Sequence, residues 1–136
     1  MKTRIFTLLL ALVISVPTAI GQDAAGAQEL SLRRQKFHAL PPDIWRMPDL
    51  HTLDLSFNPI TELPDSIATL RLTHLNLVRT YVTDFPASVA GSPLAATLQY
   101  LDMRGCRLTE EQQEAIRALF PDAVIRWDFP CDCGAD

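Results

Sequence analysis

The residues best suited to metal or thiol chemistry in this chain are three cysteines and three histidines. Cys131 and Cys133 form a C-x-C flanked by Asp132 and Gly134. Two thiolates fall short of the four ligands usual for structural zinc. His38, His51 and His74 are spaced so that they complete no ligand set, so neither a metal nor another cofactor is expected. Cys106 stands apart, and a small buried core residue is its plainest reading. In an oxidising compartment it could instead pair with Cys131 or Cys133, which leaves one cysteine over. Hydrolytic chemistry has no frame here. The chain contains no G-x-S-x-G, no H-E-x-x-H and no glycine-rich phosphate loop.

The elements that must position these residues are bounded by composition. The 136 residues suit one folded domain, with 48% apolar and 21% charged residues. A formal net charge of −4 provides no basic footprint for nucleic acid. Lys2 and Arg4 precede the apolar run Ile5 to Val16, then Pro17 and the small-residue pattern Ala19-Ile20-Gly21. That order is the signature of a secretory signal peptide over residues 1–21, with Ala25 and Gly26 as other cleavage points. A run of this length is too short to cross a hydrocarbon layer of about 30 Å, so no membrane span is expected after cleavage. Loss of Lys2 and Arg4 takes the charge from −4 to −6. The expected destination is the periplasm or the extracellular space.

Beyond residue 21 the chain repeats. Leu50, Leu53, Leu55, Asn58 and Ile60 fit L-x-x-L-x-L-x-x-N-x-L. Leu72, Leu75, Leu77, Thr80 and Val82 fit the same frame, as do Leu98, Leu101, Met103, Cys106 and Leu108. A partial copy holds Leu30, Leu32, Gln35 and Phe37. Taking Leu32, Leu55, Leu77 and Met103 as markers, the spacings are 23, 22 and 26 residues, within the window of leucine-rich repeats. The linkers Leu40-Pro41-Pro42-Asp43-Ile44 and Leu63-Pro64-Asp65-Ser66-Ile67 match that family's L-P-x-x-I half. The third linker keeps Phe85-Pro86-Ala87-Ser88-Val89 and adds residues around Gly91-Ser92-Pro93.

Over about residues 27–128 the chain resembles the leucine-rich-repeat family, in its roughly 23-residue subtype. The resemblance implies an α/β solenoid, a short arc with a parallel β-sheet on its concave face, and protein recognition in general. It divides the chain into a signal peptide (1–21), a repeat domain (22–128) and a cysteine-containing tail (129–136). Asp128-Phe129-Pro130-Cys131-Asp132-Cys133 also resembles the opening of the cysteine-rich C-terminal cap of extracellular members, although the family's later cysteines do not follow.

The residues carry the same reading independently. Alternation along a strand turns Leu53 and Leu55 inward and Thr52, Asp54 and Ser56 outward. Asn58 belongs inside, where its amide can satisfy buried turn backbone. Thr80 and Cys106 can do only part of that work, so the middle of the arc is expected to be looser. Thr109 and Gln112 form a capping box that opens a helix over Glu110 to Leu119, with Ile116, Leu119 and Phe120 on one face. Pro121 stops it, and residues 123–129 alternate like a last strand with Ile125, Trp127 and Phe129 on the buried side. Residues 22–37 promise only a thin N-terminal cap.

Three outward rows follow: Glu29, Thr52, His74 and Tyr100; Ser31, Asp54, Asn76 and Asp102; Arg33, Ser56, Val78 and Arg104. Asp54 and Asp102 stand two strands apart, roughly 10 Å, wide for paired carboxylates. Ser56 and His74 are out of register for a nucleophile and its base. No catalytic residue is therefore expected. Thr52, Asp54, Phe57, His74, Asn76, Arg79, Tyr100, Asp102 and Arg104 instead make a mixed Arg, Asp and aromatic surface of the kind that protein interfaces favour. The expected function is a non-enzymatic exported module that binds an unidentified protein on its concave face. An inhibitor or immunity-type protein of a secreted enzyme is one alternative, and a thiol or metal-handling protein using the C-x-C is the other. Alanine at Tyr100, Asp54 and Arg104 together is expected to abolish capture at little cost in stability.

Overall fold

The structure is a computed structural model that describes residues 28–128. The signal-peptide segment 1–21, together with Phe129, Cys131 and Cys133, lies outside the described residues. Five three-residue strands form one parallel sheet in chain order: β1 (Glu29–Ser31), β2 (Thr52–Asp54), β3 (His74–Asn76), β4 (Tyr100–Asp102) and β5 (Val124–Arg126). Register is constant, so Leu30, Leu53, Leu75 and Leu101 stack, followed by Ile125. The ladder continues one residue further, as the amides of Leu55, Leu77 and Met103 donate to the carbonyls of Asn76, Asp102 and Arg126 at 2.8–2.9 Å. Those three side chains are fully enclosed. Burying one leucine contributes about 1.5–3 kcal/mol, and a single repeat has no partner face of its own, so stacking is what makes the leucines stabilising.

The return path of each repeat is a tight turn set by proline. Pro41, Pro64 and Pro86 hold φ near −61° to −72° at the entry to 3-10 turns over Pro42–Arg46, Asp65–Thr69 and Ala87–Val89. Each turn drives one β-branched residue inward: Ile44, Ile67 and Val89. The turns pack in succession on the side opposite the sheet strands. The extra residues of the third linker form a short helix, α1 (Pro93–Thr97). Ser92 caps it by accepting from the Ala95 amide, and Thr97 Oγ1 donates to the Leu72 carbonyl at 2.9 Å.

The C-terminal end closes with α2 (Glu110–Leu119), opened by a complete capping box between Thr109 and Gln112. Its Ile116 is buried, as is Phe120 just beyond its end, and Phe120 meets Phe85 edge to face with ring centroids 5.0 Å apart. The expected last strand is shorter than 123–129, because only Val124–Arg126 pairs with β4. Ile125 and Trp127 are half-buried against the core. At the other end β1 pairs fully with β2, so the N-terminal half repeat is part of the sheet.

Candidate binding face

Two of the three expected rows lie in register across the sheet, and the third loses Ser56 to the interior. Thr52, His74 and Tyr100 are in register, with Glu29 before them and Val124 after. Asp54, Asn76 and Asp102 are in register between Ser31 and Arg126. The His74 and Tyr100 rings lie 5.8 Å apart, and Thr73 Oγ1 sits 3.0 Å from His74 Nδ1. Arg126, which the sequence reading did not single out, donates to the Tyr100 hydroxyl at 3.3 Å.

The acidic row is more structural than the sequence suggests. Asp54 Oδ1 accepts from the Ser56 amide at 2.9 Å, Asn76 Oδ1 from Val78 at 3.0 Å, and Asp102 Oδ1 from Arg104 at 3.2 Å. Each repeat thus uses an Asp or Asn to close the turn leaving its strand, a local bond that both residue types make readily. Asp102 is committed further. It is 4% exposed, and Arg104 Nη2 and Nε donate to its carboxylate at 2.7 and 2.9 Å. That bond and the carboxylate charge push the Arg104 guanidinium pKa up. Ser56, expected outward, is buried at 2% exposure, because the strand ends at Asp54 and two-residue alternation does not reach it. Alanine at Asp54 would remove a turn bond, and alanine at Arg104 would strand a buried carboxylate, so those two substitutions are not neutral for stability.

Beside the sheet runs a column of left-handed turn residues, each three positions after its strand's last residue: Arg34 (φ 58°), Phe57 (φ 59°), Arg79 (φ 53°) and Gly105 (φ 80°). Non-glycine residues there carry strain of about 1–3 kcal/mol. Interrepeat hydrogen bonds offset it. The Arg34, Phe57 and Arg79 amides donate to the carbonyls of Ser56, Val78 and Arg104 at 2.8–3.1 Å. At the fourth position glycine is required by space as well, because a Cβ on Gly105 would lie 2.8 Å from Arg79 Cγ. The Gly105 amide donates to Asp128 Oδ2. Phe57 is half-buried and Arg79 exposed. The shared offset of 34, 57, 79 and 105 was available in the sequence, yet the reading of alternation alone did not extract it.

Inside the turns, Asn58 Nδ2 donates to the carbonyls of Leu32 and Leu55 at 2.8 and 2.9 Å, and its Oδ1 accepts from the Phe37 amide at 3.2 Å. Thr80 Oγ1 donates to Leu77 at 2.9 Å, and the Cys106 thiol donates to the same carbonyl at 3.1 Å. Burial pushes the Cys106 thiol pKa up, which leaves it a poor nucleophile. Among the described residues no group of three or more His, Cys, Asp or Glu side chains is arranged to hold a metal ion.

A family model, Leucine Rich Repeat, matches residues 49–70 and 97–119, segments that contain β2 and β4 with their turns. Both matched segments are leucine-rich repeats of that family. A curated relative in Mus musculus, leucine-rich repeat and calponin homology domain-containing protein 1, is 33% identical over 78 residues, 57% of this chain and 11% of that protein. A solved structure of a leucine-rich-repeat protein from Leptospira interrogans is similar with a TM-score of 0.66 and 32% identity, over 73% of this chain and 25% of that one. The chain therefore spans a small part of the length of both relatives. What they share with it is the repeat arc, and that fold is a scaffold for binding modules.

Proposed function

We propose that this chain is a non-enzymatic, exported leucine-rich-repeat module that captures a protein through the concave face of its sheet. The leucine-rich repeats support protein interaction in general. The observation that favours the sheet face is the row Thr52, His74 and Tyr100, whose side chains are exposed or half-buried and make little use of one another beyond one ring contact. Aromatic and amphipathic side chains in that setting bury much area on docking at modest entropic cost. Export rests on the basic, apolar and small-residue order of residues 1–21. Among the described residues no helix is long and apolar enough to cross a membrane.

The test uses a variant chosen to spare the turns. Asp54→Asn keeps the acceptor that Asn76 already supplies in its own repeat, while His74→Ala and Tyr100→Ala remove contact area. A tagged chain recovered from the exported fraction is expected to begin at Gln22 and to carry a bound protein. The triple variant is expected to lose that protein while unfolding at the same temperature. Capture that survives the triple change would remove the sheet face from the account.

A further inference from the structure

Phe57 and Arg79, expected on the concave face, stand instead in the left-handed turns beside the strands, where they cluster with Arg33 and Arg34. The guanidinium carbons of Arg33, Arg34 and Arg79 lie 4.8, 4.8 and 5.5 Å from the centroid of the Phe57 ring. Three cations from two repeats thus converge on one ring that belongs to the repeat between them. Arg33 and Arg34 come from the N-terminal half repeat, Phe57 from the next, and Arg79 from the one after. Among the described residues the ion pairs are Arg46 with Asp43 and Arg104 with Asp102, so none of the three converging arginines has a carboxylate partner. The concentration of positive charge is local, since the chain as a whole carries −4.

We propose that this rim is a docking site for an acidic, extended segment of the partner protein. The inference rests on the reading that the chain captures a protein, and it adds the chemistry of the captured segment. A guanidinium that meets a ring uses its π face or its edge carbon there and keeps N–H groups free for carboxylate oxygens, which it binds in a planar fork. Phe57 holds the arginines in place and offers an apolar surface between them. Adjacent strands are about 4.8 Å apart, so the turns of Arg34 and Arg79, two strands apart, are separated by roughly 10 Å. An extended peptide advances about 3.3 Å per residue, so carboxylates three residues apart would reach both. A long polyanion such as nucleic acid is disfavoured, because beyond the rim it would meet an acidic protein.

The probe is a labelled peptide with glutamates three residues apart flanking a leucine, titrated into the full chain by fluorescence anisotropy. The same peptide with glutamine in place of glutamate is the control. Saturable binding of the glutamate peptide alone is expected, weakened about tenfold or more by Arg34→Gln with Arg79→Gln. Both arginines are exposed, and an unchanged melting temperature verifies that the double variant is folded. Phe57→Leu, which keeps apolar bulk without the ring, is expected to weaken binding several-fold. The inference is overturned if the glutamate peptide does not bind, if the glutamine peptide binds equally, or if the double variant binds unchanged. Displacement by an equal concentration of inorganic phosphate would also overturn it. The sheet-face variant Asp54→Asn, His74→Ala and Tyr100→Ala is expected to bind the peptide as well as the parent chain does. Failure of the peptide while partner capture still depends on that variant defeats the rim alone. Peptide binding with capture indifferent to that variant defeats the sheet face alone.

Discussion

The joint between the N-terminal half repeat and the first full repeat differs from the joint between the two repeats that follow, although the same slot serves both. At the first joint one amide reaches two carbonyls, Leu32 in the preceding repeat and Leu55 in its own, and also accepts from Phe37. At the later joint that work is split. Thr80 donates to its own repeat's carbonyl, Leu77, and Cys106 to the preceding repeat's carbonyl, again Leu77, while Thr80 Oγ1 and Cys106 Sγ share one long contact of 3.5 Å across the joint. A hydroxyl or thiol has a single hydrogen to donate, whereas an amide has two and an acceptor besides. Degenerating the slot therefore keeps the stack closed but ties neighbouring repeats with fewer and weaker bonds. The thin N-terminal cap is the end that received the stronger tie.

The largest expected effect comes from breaking that tie. Asn58→Ala strands buried turn groups in two repeats and is expected to cost about 3 kcal/mol or more in denaturant unfolding. Asn58→Thr should recover about 1 kcal/mol of it through the bond to the residue's own repeat, as at Thr80. A threonine variant as stable as the parent chain would erase the distinction between the joints.

Cys106→Ala is expected to cost less, about 1–2 kcal/mol, because one weak bond and one small side chain are lost. The same variant sharpens the pH dependence. Burial raises the folded-state thiol pKa above its unfolded value of about 8.5. The stability linked to it is then fully present below that unfolded value and is lost as pH rises through the folded pKa. Unfolding midpoints at neutral and alkaline pH should therefore fall further apart in the parent chain than in Cys106→Ala. An identical alkaline loss in both would show that the buried thiol does not titrate with unfolding.

The smallest effects are expected in the outer column, which stays uniform where the inner one degenerates. Asp54→Ala should cost about 1 kcal/mol by removing the bond to the Ser56 amide. Asp54→Asn should lie within about 0.5 kcal/mol of the parent chain, since Asn76 makes the equivalent bond. A large cost for the asparagine variant would mean that charge, and not turn closure, is what the column selects.

The phase of the leucines, the helix Glu110–Leu119 with its capping box and the register of the outward rows were all legible in the residues, because each follows from a short-range period or a local hydrogen bond. The candidate site was legible only as rows. That Asp102 spends itself on Arg104, and that Ser56 is buried, depends on where a three-residue strand ends and what lies beside it. Alternation carries no information past that point.

Leucine spacing by itself thus determined a stacked parallel sheet, since no single repeat can enclose its own apolar side chains and identical neighbours can. Only the tertiary structure decided which polar side chains are spoken for and which converge. Arg79 lies 45 residues from Arg34 and 46 from Arg33 in the chain, yet all three meet over one ring, because the left-handed turns of Arg34, Phe57 and Arg79 at a common offset bring distant residues side by side.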